Sequence, residues 1–247
     1  MNATDWIVPD WPVPLTVRAV TTTRHGGVSE GPYRSMNPAD HVGDDPQSVR
    51  TNRARLQALL DLPDAPVWLQ QVHGTGIVDA TRAGAGATGD GSWTDRAQVV
   101  CAVLTADCLP VLLSDRQGRC VAAVHAGWRG LAAGVIEAAV SALPVTGRDL
   151  LAWLGPAIGP QAFAVGEEVR AAFMAQDAGA DAAFTRGADG SLHADLYALA
   201  RQRLAGAGVQ AVYGGGECTV TDAARFYSYR RDGDTGRMAS LIWLAGV

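Results

Sequence analysis

The sequence predicts a mixed α+β protein in which sheets of mixed direction carry helices on their outer sides. Three observations support that reading. Nine apolar runs of strand length recur along the 247 residues, whereas only three stretches hold an apolar face at helical spacing. The β-rich middle shows no regular alternation of strand and helix, unlike a doubly wound parallel sheet. No internal repeat or linker-like stretch divides the chain, so residues 1–247 are expected to form a single domain.

The elements follow in chain order. Residues 15–22 open the strand pattern and are rich in β-branched side chains. Asp45 followed by Pro46 pairs a good helix N-cap with a first-turn proline, and predicts a helix to about Leu60. Residues 67–72 form a second strand, and the glycine- and alanine-rich stretch 83–91 reads as the longest loop. Three apolar runs, 98–105, 111–114 and 120–125, make the centre of a sheet. After the Gly127–Gly130 turn, Leu131, Val135, Ile136, Ala139, Val140 and Leu143 share one helical face. Residues 150–154 give a further strand. A third helix is expected over 193–207, with Leu196, Leu199, Ala200 and Leu204 inward. Strands at 210–213, 226–229 and 239–244 close the chain.

All 20 basic residues are arginine, so there is no lysine anywhere. Schiff-base chemistry, Walker-type phosphate loops, Ser-x-x-Lys nucleophiles and protein-kinase catalysis each need one, and all are excluded. A net charge of −5 argues against broad binding to nucleic acid or anionic membranes. The apolar stretch 97–113 is broken by Asp107 and Pro110, so no membrane span is expected. The acidic, tryptophan-containing N-terminus does not read as a secretory signal. Four cysteines without such a signal suggest cytoplasmic thiols or metal ligands.

Five histidines are present, and two of them end apolar runs beside glycine-rich turns. His73 closes the run 67–72, and His125 closes 120–124 ahead of the segment Ala126-Gly127-Trp128-Arg129-Gly130. Between them, Asp107 and Cys108 interrupt a strongly apolar stretch, where polar groups are costly unless used. Two imidazoles and a thiolate suit a zinc ion that keeps its fourth position open, the catalytic pattern. Local spacing alone leaves open whether the three converge. Asp107 is a candidate proton shuttle, or else a hydrogen-bond partner that orients a histidine. Cys101, Cys120 and Cys218 read as structural.

Taken together, seven segments resemble the YfiH family. They are Thr23-Arg24-His25-Gly26-Gly27-Val28-Ser29, His41-Val42-Gly43-Asp44-Asp45, Gln71-Val72-His73-Gly74, the stretch from Ala106-Asp107-Cys108 to Leu113, His125-Ala126-Gly127-Trp128-Arg129-Gly130, Gly155-Pro156-Ala157-Ile158-Gly159-Pro160, and Phe226-Tyr227-Ser228-Tyr229-Arg230-Arg231-Asp232-Gly233. Members of that family are described as laccase-domain or polyphenol oxidase proteins, purine nucleoside phosphorylases and peptidoglycan editing factors. The resemblance spans about residues 15–245 and implies an α/β/β/α sandwich, with zinc on His73, Cys108 and His125. It also implies phosphorolysis of adenosine, inosine, guanosine and methylthioadenosine, with deamination of adenosine. Two segments depart from the family pattern, Asn37-Pro38-Ala39-Asp40 and Gly89-Asp90-Gly91-Ser92-Trp93-Thr94, and both are expected to border the substrate site.

Phosphorolysis requires a bound phosphate, and arginine forks suit that role. Arg24 in its glycine-flanked turn is the first candidate, with neutral hydrogen bonds from Ser29 and Asn37; Arg129 and Arg230 are secondary. The expected small molecules are therefore a purine nucleoside and phosphate. Rival readings are an amidase that removes a mis-incorporated serine from a muramyl nucleotide, a hydrolase using Cys108 and His125, a single-copper polyphenol oxidase, and a non-enzymatic nucleotide-binding module. Multi-copper laccase chemistry is excluded because five histidines are too few for four coppers at two to three imidazoles each.

Overall fold

In the computed structural model, which describes residues 5–84 and 86–246, two sheets lie face to face with helices on their outer sides. The strands are β1 (Val17–Thr21), β2 (Ile77–Asp79), β3 (Gly91–Thr94), β4 (Val100–Thr105), β5 (Leu109–Asp115) and β6 (Val121–Ala126). They continue with β7 (Leu150–Leu154), β8 (Ala164–Val165), β9 (Phe184–Arg186), β10 (Leu192–Ala194), β11 (Ala211–Gly214) and β12 (Met238–Leu244). The helices are α1 (Pro46–Leu60), α2 (Trp128–Ala133), α3 (Val135–Ala142), α4 (Glu167–Met174), α5 (Leu196–Gly206) and the short α6 (Tyr229–Asp232). The large sheet has the order β11-β7-β5-β6-β3-β2, parallel at its two ends and antiparallel between them. The second sheet, β1-β12-β4, is antiparallel throughout, and β8-β10-β9 form a small third sheet.

The layering follows from the two-residue period of a strand. Along β4, Cys101 and Val103 point between the two main sheets, where they meet Leu112 of β5, Val121 and Ala123 of β6, and Ile242 of β12. The alternate residues Val100, Ala102 and Leu104 point outward, into a core shared with Leu56 of α1. In the large sheet, Val111, Leu113, Ala122 and Val124 face the opposite way, against α3, α4 and α5. The central strands are buried on both faces, which is why they read as near-continuous apolar runs. The resulting order is helix, sheet, sheet, helix, the predicted sandwich.

Several local expectations are met for the reasons given. The Asp45 carboxylate accepts from the Ser48 amide at 2.9 Å, Pro46 occupies the first turn, and α1 ends at Leu60. Other boundaries differ. Residues 226–229 are not a strand: Phe226 and Tyr227 are fully buried in an irregular segment, and Ser228 caps α6. Burial without strand geometry gave the same apolar signal there. Residues 67–72 make only isolated bridges, Val67 with Cys101 and Gln70 with Thr88. The helix expected from residue 193 begins at Leu196, because His193 lies on β10 and Asp195 is the cap. Strands β2 and β3, the small sheet and α4 were not expected; α4 buries only Val169 and Phe173.

Candidate metal centre

The β5–β6 ladder brings two candidate ligands together. Leu109 pairs with Ala126 and Pro110 with His125, so Cys108, immediately before β5, falls beside the end of β6. Strand β3 pairs on the other side of β6, with Gly91 opposite Val124. That register sets Asp90 against His125, whose amide donates to the Asp90 carbonyl and whose Nδ1 lies 2.9 Å from Asp90 Oδ1.

His73 arrives from a separate loop that is fastened twice. The Gln71 side chain donates to the Leu104 carbonyl at 2.9 Å and accepts from the Leu104 amide at 2.8 Å, standing in for a strand partner. The Asp90 carboxylate accepts from the amides of Val72, His73 and Gly74 at 3.3, 2.8 and 2.6 Å. His73 adopts φ 59° and Asp107 φ 89°, left-handed conformations that cost a non-glycine residue on the order of 1–3 kcal/mol. The surrounding contacts hold both residues in those conformations at the centre of the site.

The result is one nitrogen from each of His73 and His125 and the Cys108 sulfur, all within 4.8 Å of one another. His73 is exposed, Cys108 half-buried and His125 buried, so the group opens to solvent on one side. It is the one such cluster among the described residues. Gly127 closes the other side: a Cβ there would lie 3.0 Å from both Cys108 Sγ and His73 Cδ2. Two imidazoles, a thiolate and a space that any side chain would encroach upon fit a transition-metal ion with three protein ligands. The carboxylate of Asp90 fixes the tautomer of His125, with Nδ1 engaged and Nε2 left for the metal.

Electrostatics follow the same geometry. Burial raises the Cys108 thiol, but His125 and His73 beside it outweigh burial and bring it down to about 6. His125 moves the other way. Burial lowers it, and the neighbouring sulfur and Asp90 raise it by more. The carboxyl of Asp90 is raised by burial and lowered by more through its bonds to His125, Gly74 and His73.

The remaining candidates fall in three places. Asp107 bonds to neither histidine; its two oxygens accept from Thr219 Oγ1 and the Arg230 amide, both at 2.6 Å. Arg129 and Arg230 line one cavity of about 430 Å³, with their guanidinium groups over Trp128 and Phe163. Arg24 and Ser29 line a different cavity, of about 1070 Å³, and none of the three ligands lines either cavity. Arg24 spends two donors on the carbonyls of Arg34 and Ala223. Ser29 donates to Asp44 and accepts from Asn52, and Asn37 is saturated by Ala39, Asp44 and Arg237. Those two side chains therefore hold the loop rather than present groups to a ligand. Sequence reasoning gave no role to Asp90, although it noted the segment as unusual, and it did not single out Thr219 or Arg237.

A family model described as multi-copper polyphenol oxidoreductase laccase matches residues 18–245. A purine nucleoside phosphorylase of Pseudomonas aeruginosa is 56% identical over 245 residues, covering 99% of each chain. The purine nucleoside phosphorylase YfiH of Escherichia coli K12 is 56% identical over 239 residues, 96% of this chain and 98% of its own. A crystal structure of a Neisseria meningitidis protein aligns with TM-score 0.94 at 50% identity, covering 98% of this chain and 100% of the other. YlmD from Geobacillus stearothermophilus aligns with TM-score 0.90 at 32% identity, covering 100% and 98%. No described helix is long and apolar enough to cross a membrane.

Proposed function

This chain belongs to the YfiH family of laccase-like domain proteins, and from that premise we propose that it is a zinc-dependent purine nucleoside phosphorylase. The observation that carries the reading is the convergence of His73, Cys108 and His125 into one cluster of three metal-ligating side chains, open to solvent at His73. Its relatives at 56% identity bear the name of that activity. The donor set suits zinc, which when bound supplies a Lewis acid to polarise an oxygen of the substrate. Copper is the weaker fit, because one His-Cys-His group among the described residues falls short of a multi-copper oxidase.

In the reaction, a phosphate oxygen forms a bond to the ribose C1′ as the bond from C1′ to the purine nitrogen breaks. The purine departs with the bonding pair and takes up a proton. This chain's part is to hold both substrates and exclude competing water. Arg129 and Arg230 supply cations beside α2, each steadied on an aromatic face. Asp90 keeps His125 oriented. Adenosine deamination is the second reading, since zinc deaminases also hold their metal with a mixture of histidine and cysteine, though with more cysteine. It also needs a free carboxylate to carry protons, and Asp107 is bonded at both oxygens, which favours phosphorolysis.

The test is to incubate purified protein with adenosine, with and without phosphate, and to identify the products by mass spectrometry. His73→Ala and Cys108→Ala proteins run beside it to expose contaminating enzymes. Adenine and ribose 1-phosphate should appear only with phosphate and only in the wild type. Inosine formed without phosphate would establish deamination. If neither product forms, or the variants match the wild type, the nucleoside reading fails and the muramyl substrate is tried.

A further inference from the structure

Strands β4 and β12 pair as far as Met238 opposite Thr105. One step beyond that pair, the register sets Arg237 opposite Ala106, on the segment that runs directly into Asp107 and Cys108. The segment that carries Arg237 therefore runs alongside the one that carries Cys108. Nη1 of Arg237 donates to the carbonyls of Thr235 and Gly236 at 2.8 and 3.0 Å, which fixes its direction. Its guanidinium carbon lies 6.0 Å from the centre of the Tyr229 ring. Nε and Nη2, the two donors of one fork edge, have no hydrogen-bond partner among the described residues, and no carboxylate reaches ion-pair distance. The nearby Asp107 carboxylate cannot serve, because Thr219 and the Arg230 amide already occupy it.

A half-buried arginine without a counter-ion is unusual, since burial disfavours its charge. The anionic groups that act on it most are Cys108 and Asp107. Two further arginines, Arg231 and Arg24, are committed elsewhere, while Arg129 and Arg230 line the cavity beside α2. Arg231 donates from Nε, Nη1 and Nη2 to four groups of its own turn and neighbours, and Arg24 lines a cavity without ligands.

We propose that Arg237 is the anion-binding group of the metal centre, its Nε–Nη2 edge taking two oxygens of the phosphate that attacks the nucleoside. A planar fork matches a tetrahedral oxyanion in a way an ammonium does not. The inference rests on the phosphorylase reading for the role of the anion, but not for its binding. Inorganic phosphate and the phosphate of a nucleotide share the chemistry, and the test separates them.

Zinc-loaded wild type, Arg237→Gln and Arg237→Lys are titrated by calorimetry with inorganic phosphate and, separately, with adenosine 5′-monophosphate. KM values for phosphate and adenosine are then measured for each. The backbone bond from Arg237 to Asn37 survives both changes, and circular-dichroism spectra and thermal midpoints matching the wild type establish that both variants fold. R237Q should bind phosphate at least about tenfold more weakly, with R237K intermediate, adenosine KM within about twofold and zinc content unchanged. Unchanged phosphate binding in R237Q overturns the inference, as does zinc loss that matches the loss of activity. Weaker binding of the nucleotide alone overturns the assignment to the attacking phosphate. If the wild type binds phosphate through Arg237 yet makes no ribose 1-phosphate, the phosphorylase reading fails while the anion site stands.

Discussion

Asp90 joins three parts of the site with one carboxylate. It orients His125, holds the loop that carries His73 through three amides, and is itself fully buried. An Asp90→Asn protein keeps the size but loses the charge and places donors against donors. Its zinc affinity should fall about 10- to 100-fold, measured by competition with a chromogenic chelator. Cys108 gives a second outcome at this scale. Its thiol is brought down to about 6, so in metal-free protein it is thiolate above that pH. Alkylation by iodoacetamide should therefore be level above neutrality and fall as pH drops through about 6, while zinc should protect it. Cys101 and Cys120, pushed up to about 12 chiefly by burial, should not react over that range, and peptide mapping separates Cys218. The three candidate ligands were legible in the sequence because metals restrict the choice of side chain and each candidate lies at the end or in the interior of an apolar stretch. Asp90 was not, because an aspartate between glycines reads as loop until β3 is known to pair with β6.

Among the elements, α2 bears most directly on the site. Gly127 precedes its first turn, and Gly130 packs so closely that a Cβ would lie 2.7 Å from the Gly74 carbonyl. A Gly127→Ala protein should fold with a stability loss of about 1–3 kcal/mol. It should also retain less zinc after dialysis, since the methyl group presses Cys108 and His73 apart; atomic absorption on the dialysed protein checks this. Helix α1 was readable from its cap and proline, signals confined to a few adjacent residues. The short strands β2 and β3 were not. They hold three and four residues, too few to show a period, and exist because β6 offers an edge to β3, which in turn offers one to β2.

At the scale of the molecule, the two-sided burial of β4, β5, β6 and β12 supplies the core between the main sheets. Leu112 is fully buried there, and a Leu112→Ala protein should lose about 2–5 kcal/mol of stability in urea unfolding without losing its metal. Composition and apolar runs disclosed mixed sheets with outer helices, because burial on two faces leaves its mark on sequence. Strand order did not show, since pairing partners lie far apart along the chain. Strand β12 illustrates that distance. It comes last in the chain, yet it is the middle strand of its sheet, and without it β1 and β4 have no partner between them. On a ribosome adding about 5–20 residues each second, β1 waits on the order of tens of seconds for that partner to emerge. Until then the hydrogen-bonding edges of β1 and β4 that face β12 stay unpaired, so nascent chains should depend on holdase chaperones and should recruit them early in synthesis.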